Sequence, residues 1–272
     1  MVQWKALSTH LTLILGALFM GLPVVLLLIS TTHQGGFSVS SAHAFLPGNG
    51  LDENIENMHR ILAGNASIPT LYDMLFTSFK AGASIAIFTT VFSFMAAYAL
   101  VFLRPKGSGF LFGLTLVTLY FPIEARMLAT FDVAAHLGLI NTHLGLVLPV
   151  MPFALATFVF VQHMKSFPKE YLEAARLDGT KPIRFLIDFV IPLSVTPISA
   201  LACLIFIFGW NQYLWPLIIS VDNSQFTLMR GISLLRSGSG PSLVLAVISF
   251  LPPGILFFLF QRKLSTLTNL RG

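Results

Sequence analysis

Six long stretches of this chain carry no charged side chain: residues 11–29, 81–103, 110–123, 144–161, 190–221 and 242–260. About 20 apolar residues at 1.5 Å rise cross the roughly 30 Å hydrocarbon core of a bilayer. The pattern predicts an all-α integral membrane protein. One transmembrane domain, 1–272, holds six transmembrane helices near 11–30, 78–103, 108–130, 143–163, 193–219 and 242–261. The third run leads directly into Glu124 and Arg126. The fifth is too long for one upright helix and contains Pro192, Pro197, Gly209 and Pro216, so its helix starts late, ends early or bends.

The cations set the orientation. With the N-terminus inside, Lys5, Arg104, Lys106, the 163–189 loop and the C-terminal tail all lie in the cytoplasm. The reverse orientation keeps only Arg60, Lys80, Arg126, Arg230 and Arg236 inside. The positive-inside rule therefore places both termini in the cytoplasm of a multi-pass protein. Ala42-His43-Ala44 has the form of a signal-peptide cleavage site, but it lies far beyond a long first run. That spacing favours an uncleaved helix. In the long outer loop, Asp52 is suited to cap a helix that Gly64 ends, with Leu51, Ile55, Met58 and Leu62 on one face. Such a helix either rests on the membrane or neighbouring spans, or docks an external partner.

Composition agrees. Hydrophobic residues make up 55% of the chain, against 16 Lys and Arg and 11 Asp and Glu, and the mean hydropathy is +0.82. So few charges cannot cover a water-soluble surface, and so much apolar surface excludes a disordered chain. The net charge of +5 then reflects cytoplasmic loops rather than nucleic-acid binding. A single cysteine, Cys203, excludes an intrachain disulfide framework.

The loop at 166–190, between the fourth and fifth spans, has its own pattern. Pro168 suits a first helical turn, and Glu170 suits the positive end of the helix. Lys169 with Glu173, and Glu173 with Arg176, are spaced to meet on one helix surface. Gly179 is placed to end that helix in a left-handed conformation, and Thr180 to cap the next. Ala174 and Ala175 offer little bulk, so a partner groove can approach the backbone, with Glu173, Arg176 and Asp178 as surrounding charges. Displacement of this helix would pass to the fifth span. An ordinary amphipathic interfacial hairpin fits the same pattern.

Glu173-Ala174-Ala175, then Gly179, then Phe189-Val190-Ile191-Pro192 resembles the EAA loop of permease subunits in binding-protein-dependent ATP-binding-cassette importers. Phe189 and Ile191 depart from that family's Ile and Leu, and both remain apolar. The resemblance runs from about residue 51 to the C-terminus. The segment 209–217, Gly-Trp-Asn-Gln-Tyr-Leu-Trp-Pro-Leu, is similar to the fifth-span motif of carbohydrate-uptake permeases. Phe121-Pro122-Ile123-Glu124-Ala125-Arg126 is similar to the third-span end of permeases that import sn-glycerol-3-phosphate.

The resemblance implies that Glu173, Ala174, Ala175, Asp178 and Gly179 form the coupling helix that sits in a groove of a cytoplasmic ATPase. It also implies a bacterial inner-membrane assembly of this chain, a homologous second permease, two ATPase copies and an extracytoplasmic solute-binding protein, all in contact with lipid. ATP and Mg belong to the partner ATPase. This chain lacks a phosphate-binding Gly-Lys loop and binds no cofactor of its own.

Five residues are candidates for the substrate path. Arg126 would attract a phosphate through its planar fork and Glu124 would orient it or gate the path; alternatively the two form a helix-end salt bridge or snorkel. Asn211, Gln212 and Tyr213 bring amides and a hydroxyl into an apolar span, for substrate, a partner permease or the interface. Trp210 and Trp215 read as interfacial anchors on the same terms. Asp132 and His136 are four apart, which is too few ligands for a metal site. A permease for maltose-like or other oligosaccharides, a stand-alone secondary transporter and a membrane enzyme are the competing readings. The enzyme would need clustered acid, base or metal ligands, and the secondary transporter would need mid-membrane carboxylates. Neither pattern is in the sequence.

Overall fold

A computed structural model describes residues 2–36, 45–63, 68–122 and 124–268, with the side chains of 2–7, 124 and 262–268 outside the description. The elements, in order, are α1 (Val2–Ser30), α2 (Leu51–Ile61), α3 (Leu71–Tyr98), α4 (Ser108–Val117), α5 (Met127–His136), α6 (His143–Val147), α7 (Ala154–Lys165), α8 (Lys169–Leu177), α9 (Pro182–Phe185), α10 (Ile191–Leu193), α11 (Val195–Trp210), α12 (Leu214–Ile219), α13 (Leu228–Ile232) and α14 (Gly240–Thr268). No strand occurs among the described residues, so the protein is all-α.

Among the described residues, three helices are long and apolar enough to cross a membrane: Ser8–Ser30, Leu71–Leu103 and Gly240–Gln261. A fourth candidate is the pair Pro182–Leu193 and Val195–Trp210, bent by 75° at Ser194. This is the bend that the prolines of the fifth run called for. The span expected at 108–130 is interrupted. Phe121 is extended, with φ −95° and ψ 102°, because Pro122 disfavours the helical region for the residue before it. The span expected at 143–163 is likewise divided between α6 and α7, with Pro149 and Pro152 in the gap. Breaks of this kind expose backbone groups that lipid cannot satisfy. Here the Thr89 hydroxyl donates to the Met151 carbonyl at 3.0 Å.

The chain divides into two compact units. One comprises 1–71 and 231–251. In it, none of the apolar window of α1 is buried within the chain. Asn54 secures α2 to the end of α1 by donating to the carbonyls of Thr31 and His33, both at 2.9 Å. The buried face of α2 is Asn54, Met58 and Leu62, whereas the apolar pattern had put Leu51 there. Leu51 is exposed. Asp52 does not cap this helix: Gly50 precedes it, and Asp52 sits in the first turn, where its charge still favours the positive helix end. The helix closes at Leu62, ahead of Gly64, which lies outside the described residues.

The other unit, 72–230 and 252–272, holds the rest. Its centre is the contact of α3 with α11. A Cβ on Gly209 would lie 3.3 Å from the Gly82 Cα and 3.2 Å from Ile85, so these two backbones meet as small residues allow in membrane helices. Phe94 and Phe160 pack edge to face at 5.1 Å. Trp210 and Trp215 are not interfacial anchors, since both are buried. Trp215 donates its indole N–H to the Gly145 carbonyl at 2.9 Å, joining α12 to α6. Trp215→Phe leaves that carbonyl unpaired and should destabilise the fold by about 1–3 kcal/mol. The expected result is a lower midpoint in thermal unfolding of the detergent-solubilised protein, and an unchanged midpoint would refute it.

Candidate functional site

The loop after α7 folds as a helix–turn–helix. At the end of α8 the Thr180 N–H donates to the Ala175 carbonyl at 2.9 Å, and the Gly179 N–H to the Arg176 carbonyl at 3.1 Å. This double closure requires a left-handed residue between them, and Gly179 has φ +65°. Thr180 does not cap the following helix. Lys181 occupies that place without a side-chain bond, and Pro182 takes the first helical position, where its missing N–H costs nothing. Neither Lys169–Glu173 nor Glu173–Arg176 forms a salt bridge. The pair formed in this loop is Arg184–Asp188, at 3.2 Å and exposed.

The helix has two faces. Glu173, Ala174, Leu177 and Asp178 lie on the exposed side, while Ala175 is buried against its own protein. Ala175 is therefore closed to a partner, and its small side chain serves a different purpose. It lets α8 settle on Tyr98, Phe102 and Phe185, around a space of about 120 Å³. Leu177 is the residue that the loop pattern did not single out. It is 89% exposed. Its signal was an apolar residue one helical turn beyond Ala174, on the charged side of the helix.

Aromatic contacts fasten this loop to the long helices. The Tyr98 hydroxyl donates to the Pro182 carbonyl at 2.7 Å. Phe102 lies in a π-helical turn, Ala99–Leu103, that ends α3. Its ring meets Phe185 at 5.4 Å and Phe167 at 6.0 Å. Phe167 in turn packs on His163 at 5.2 Å. The His163 Nε2 is 3.0 Å from the Ser194 hydroxyl, at the bend before α11.

At the opposite end of α11, two of the polar candidates meet. Arg126 and Gln212 line one cavity of about 630 Å³, within the size range of small-molecule sites. Ser93, Thr115, Thr118 and Thr157 supply hydroxyls, and Phe153 stacks on Phe208 at 5.0 Å in its wall. Asn211 and Tyr213 are not brought to this cavity. The helix ends at Trp210, so the three neighbours diverge, and both are exposed. The Glu124 side chain lies outside the described residues.

Arg126 is also the residue that precedes α5. No side chain caps that helix and its own first turn holds no acid, although the 3-10 turn Glu124–Arg126 runs directly into it. A guanidinium and a positive helix end, side by side, both favour an anion. The His136 Nδ1 lies 2.7 Å from the backbone carbonyl oxygen of Asp132, so the ring is engaged within its own turn and not with the Asp132 carboxylate.

Residues 62–268 match the family described as binding-protein-dependent transport system inner membrane component. This chain belongs to that family. As a permease of this family, it is 36% identical over 273 residues to the sn-glycerol-3-phosphate transport system permease protein UgpE of Brucella melitensis, covering 96% of each chain. Identity to the protein of the same name from Escherichia coli is 35%, over 95% of this chain and 94% of that one. The fold matches a bacterial ABC transporter involved in the import of the acidic polysaccharide alginate, with a TM-score of 0.73 at 20% identity, over 96% of both chains. The two sequence relatives are permease proteins of transport systems.

Proposed function

We propose that this permease carries sn-glycerol-3-phosphate, or related glycerophosphodiesters, into the cytoplasm, driven by a separate ATPase that grips the exposed side of α8. The observation that carries the substrate is Arg126, set at the uncapped start of α5 in the wall of a cavity it shares with Gln212. The names of the relatives support the same reading.

The working assembly is this chain, a homologous permease, two ATPase subunits holding ATP and Mg, and a solute-binding protein on the outer face. The chain crosses the inner membrane six times, with both termini cytoplasmic. Loaded binding protein docks outside, ATP closes the ATPase pair, and α8 moves with it. The permease pair then opens outward and takes the substrate, and hydrolysis resets it. Binding protein and ATP must each favour one state over the other, or neither can bias the cycle. Glu173, Ala174, Asp178 and Gly179 form the ATPase contact, and Ala175 seats the helix behind it. Glu124 orients or gates beside Arg126, and Asn211 and Tyr213 face the partner permease.

Transport of maltose-like or other oligosaccharides is the second reading, and the stacked Phe153 and Phe208 favour it by offering an apolar ring surface. Membership of the importer family weighs against a stand-alone secondary transporter. The deciding experiment is uptake of labelled sn-glycerol-3-phosphate at low concentration, beside labelled maltose, in source cells with and without the gene. Loss of glycerol phosphate uptake alone is expected. Unchanged glycerol phosphate uptake with lost maltose uptake would replace the substrate.

A further inference from the structure

Two of the four cavity hydroxyls are already committed. Thr115 donates to the Leu111 carbonyl at 2.9 Å, and Thr118 to the Thr115 carbonyl at 2.7 Å. These are the local backbone bonds that such residues make within helices. Ser93 and Thr157 differ. They sit on α3 and α7, are 5% and 8% exposed, and form no hydrogen bond with any described residue, yet both line the cavity. Their hydroxyl oxygens are not enclosed but open on the cavity, so they are free to pair with whatever occupies it. Thr90 is equally buried and its hydroxyl is also unbonded, but it is not in the cavity wall. Burial alone is therefore not what distinguishes Ser93 and Thr157.

We propose that Ser93 and Thr157 are specificity-determining residues that hydrogen-bond the hydroxyl groups of the substrate, while Arg126 takes its charged end. This rests on the cavity being the translocation path. The chemistry fits a polyol: each side chain has one donor and spare acceptor capacity, and the remaining wall is largely apolar. A ligand without hydroxyls would leave both groups unpaired, and that penalty is the basis of selection.

The test uses the complete transporter in proteoliposomes with loaded binding protein. Ser93→Ala and Thr157→Val should each raise the apparent KM for sn-glycerol-3-phosphate roughly 2- to 10-fold, as loss of one neutral hydrogen bond predicts. Ser93→Thr should retain wild-type KM. Ser93→Cys and Thr157→Cys add a readout that a purely structural role would not move. A small hydrophilic methanethiosulfonate reagent should label both positions, and sn-glycerol-3-phosphate should protect them. The wild-type chain, whose one thiol, Cys203, is buried, sets the background.

Labelling without substrate protection, or unchanged KM in both Ser93→Ala and Thr157→Val, overturns the proposal. If the wild-type complex carries maltose instead, the substrate assignment fails, and maltose protection of the same two cysteines decides the hydroxyl pair. A complex that carries neither compound overturns both.

Discussion

Reversing the charge at Glu173 should abolish coupled uptake while leaving the permease in the membrane. The side chain is exposed and forms no salt bridge with any described residue, so the fold should register the change by no more than about 0.5 kcal/mol. In the assembled transporter the same face is proposed to lie in an ATPase groove. Loss of a buried, paired charge there costs about 2–5 kcal/mol. Glu173→Lys should therefore reduce uptake at least roughly 30-fold at unchanged membrane abundance. Gly179→Ala should reach the same end by another route. The space around Gly179 is open, but its φ of +65° is unfavourable for any residue with a Cβ, by about 1–2 kcal/mol. The strain falls on the turn that closes α8, and a roughly 5- to 30-fold loss of uptake follows if the helix must be formed to couple. The measurement is uptake per ATP hydrolysed in proteoliposomes, with immunoblots for membrane level. Wild-type ratios in both variants would remove α8 from the coupling role.

The second large effect is expected at Arg126. Its side chain is exposed and makes no hydrogen bond to a described residue, so its removal should spare the fold. A charge-assisted bond to a phosphate contributes about 1.5–3 kcal/mol. Arg126→Ala should accordingly raise the KM for glycerol phosphate uptake roughly 10- to 150-fold. Arg126→Lys should recover part of this, because an ammonium keeps the charge but loses the planar two-point fork. Uptake of a neutral sugar, where any is detectable, should not change. Equal KM values in wild type and Arg126→Ala would leave the residue as a helix-end cation with no part in binding.

The readable parts of this chain were those governed by local chemistry. Charge-free runs marked where helices long enough for a bilayer lie, and one of these, α14, begins at Gly240, two residues before the expected span. Gly179 could be placed in a left-handed turn because the residue type and the helix ending beside it point the same way. Two of the misreadings depended on a residue distant in sequence, and one on a neighbour. Trp215 looked like an interfacial anchor until Gly145, 70 positions away, proved to be its partner. Ala175 looked available to a partner because Tyr98 and Phe102, which bury it, lie at the end of α3 and in the π-helical turn that follows it. Thr180 lost its capping role to a neighbour, Pro182, whose preference for the first helical position was stronger. Ser93 and Thr157 carried no local signal at all. A serine or threonine in an apolar helix ordinarily bonds its own backbone, and only the folded arrangement shows that these two do not.

The bend at Ser194 has a geometric consequence. From that point α11 runs without a break to Trp210, and Gln212 lies two residues on. At 1.5 Å per residue, Gln212 sits about 27 Å from the turning point. A swing of roughly 4° at Ser194 then carries Gln212 along an arc of about 2 Å, enough to make or break a hydrogen bond. The protein need not transmit a large motion from one face of the membrane to the other. A small change of angle, made where His163 holds Ser194, would grow with distance into a displacement on the scale of a hydrogen bond at the proposed solute path.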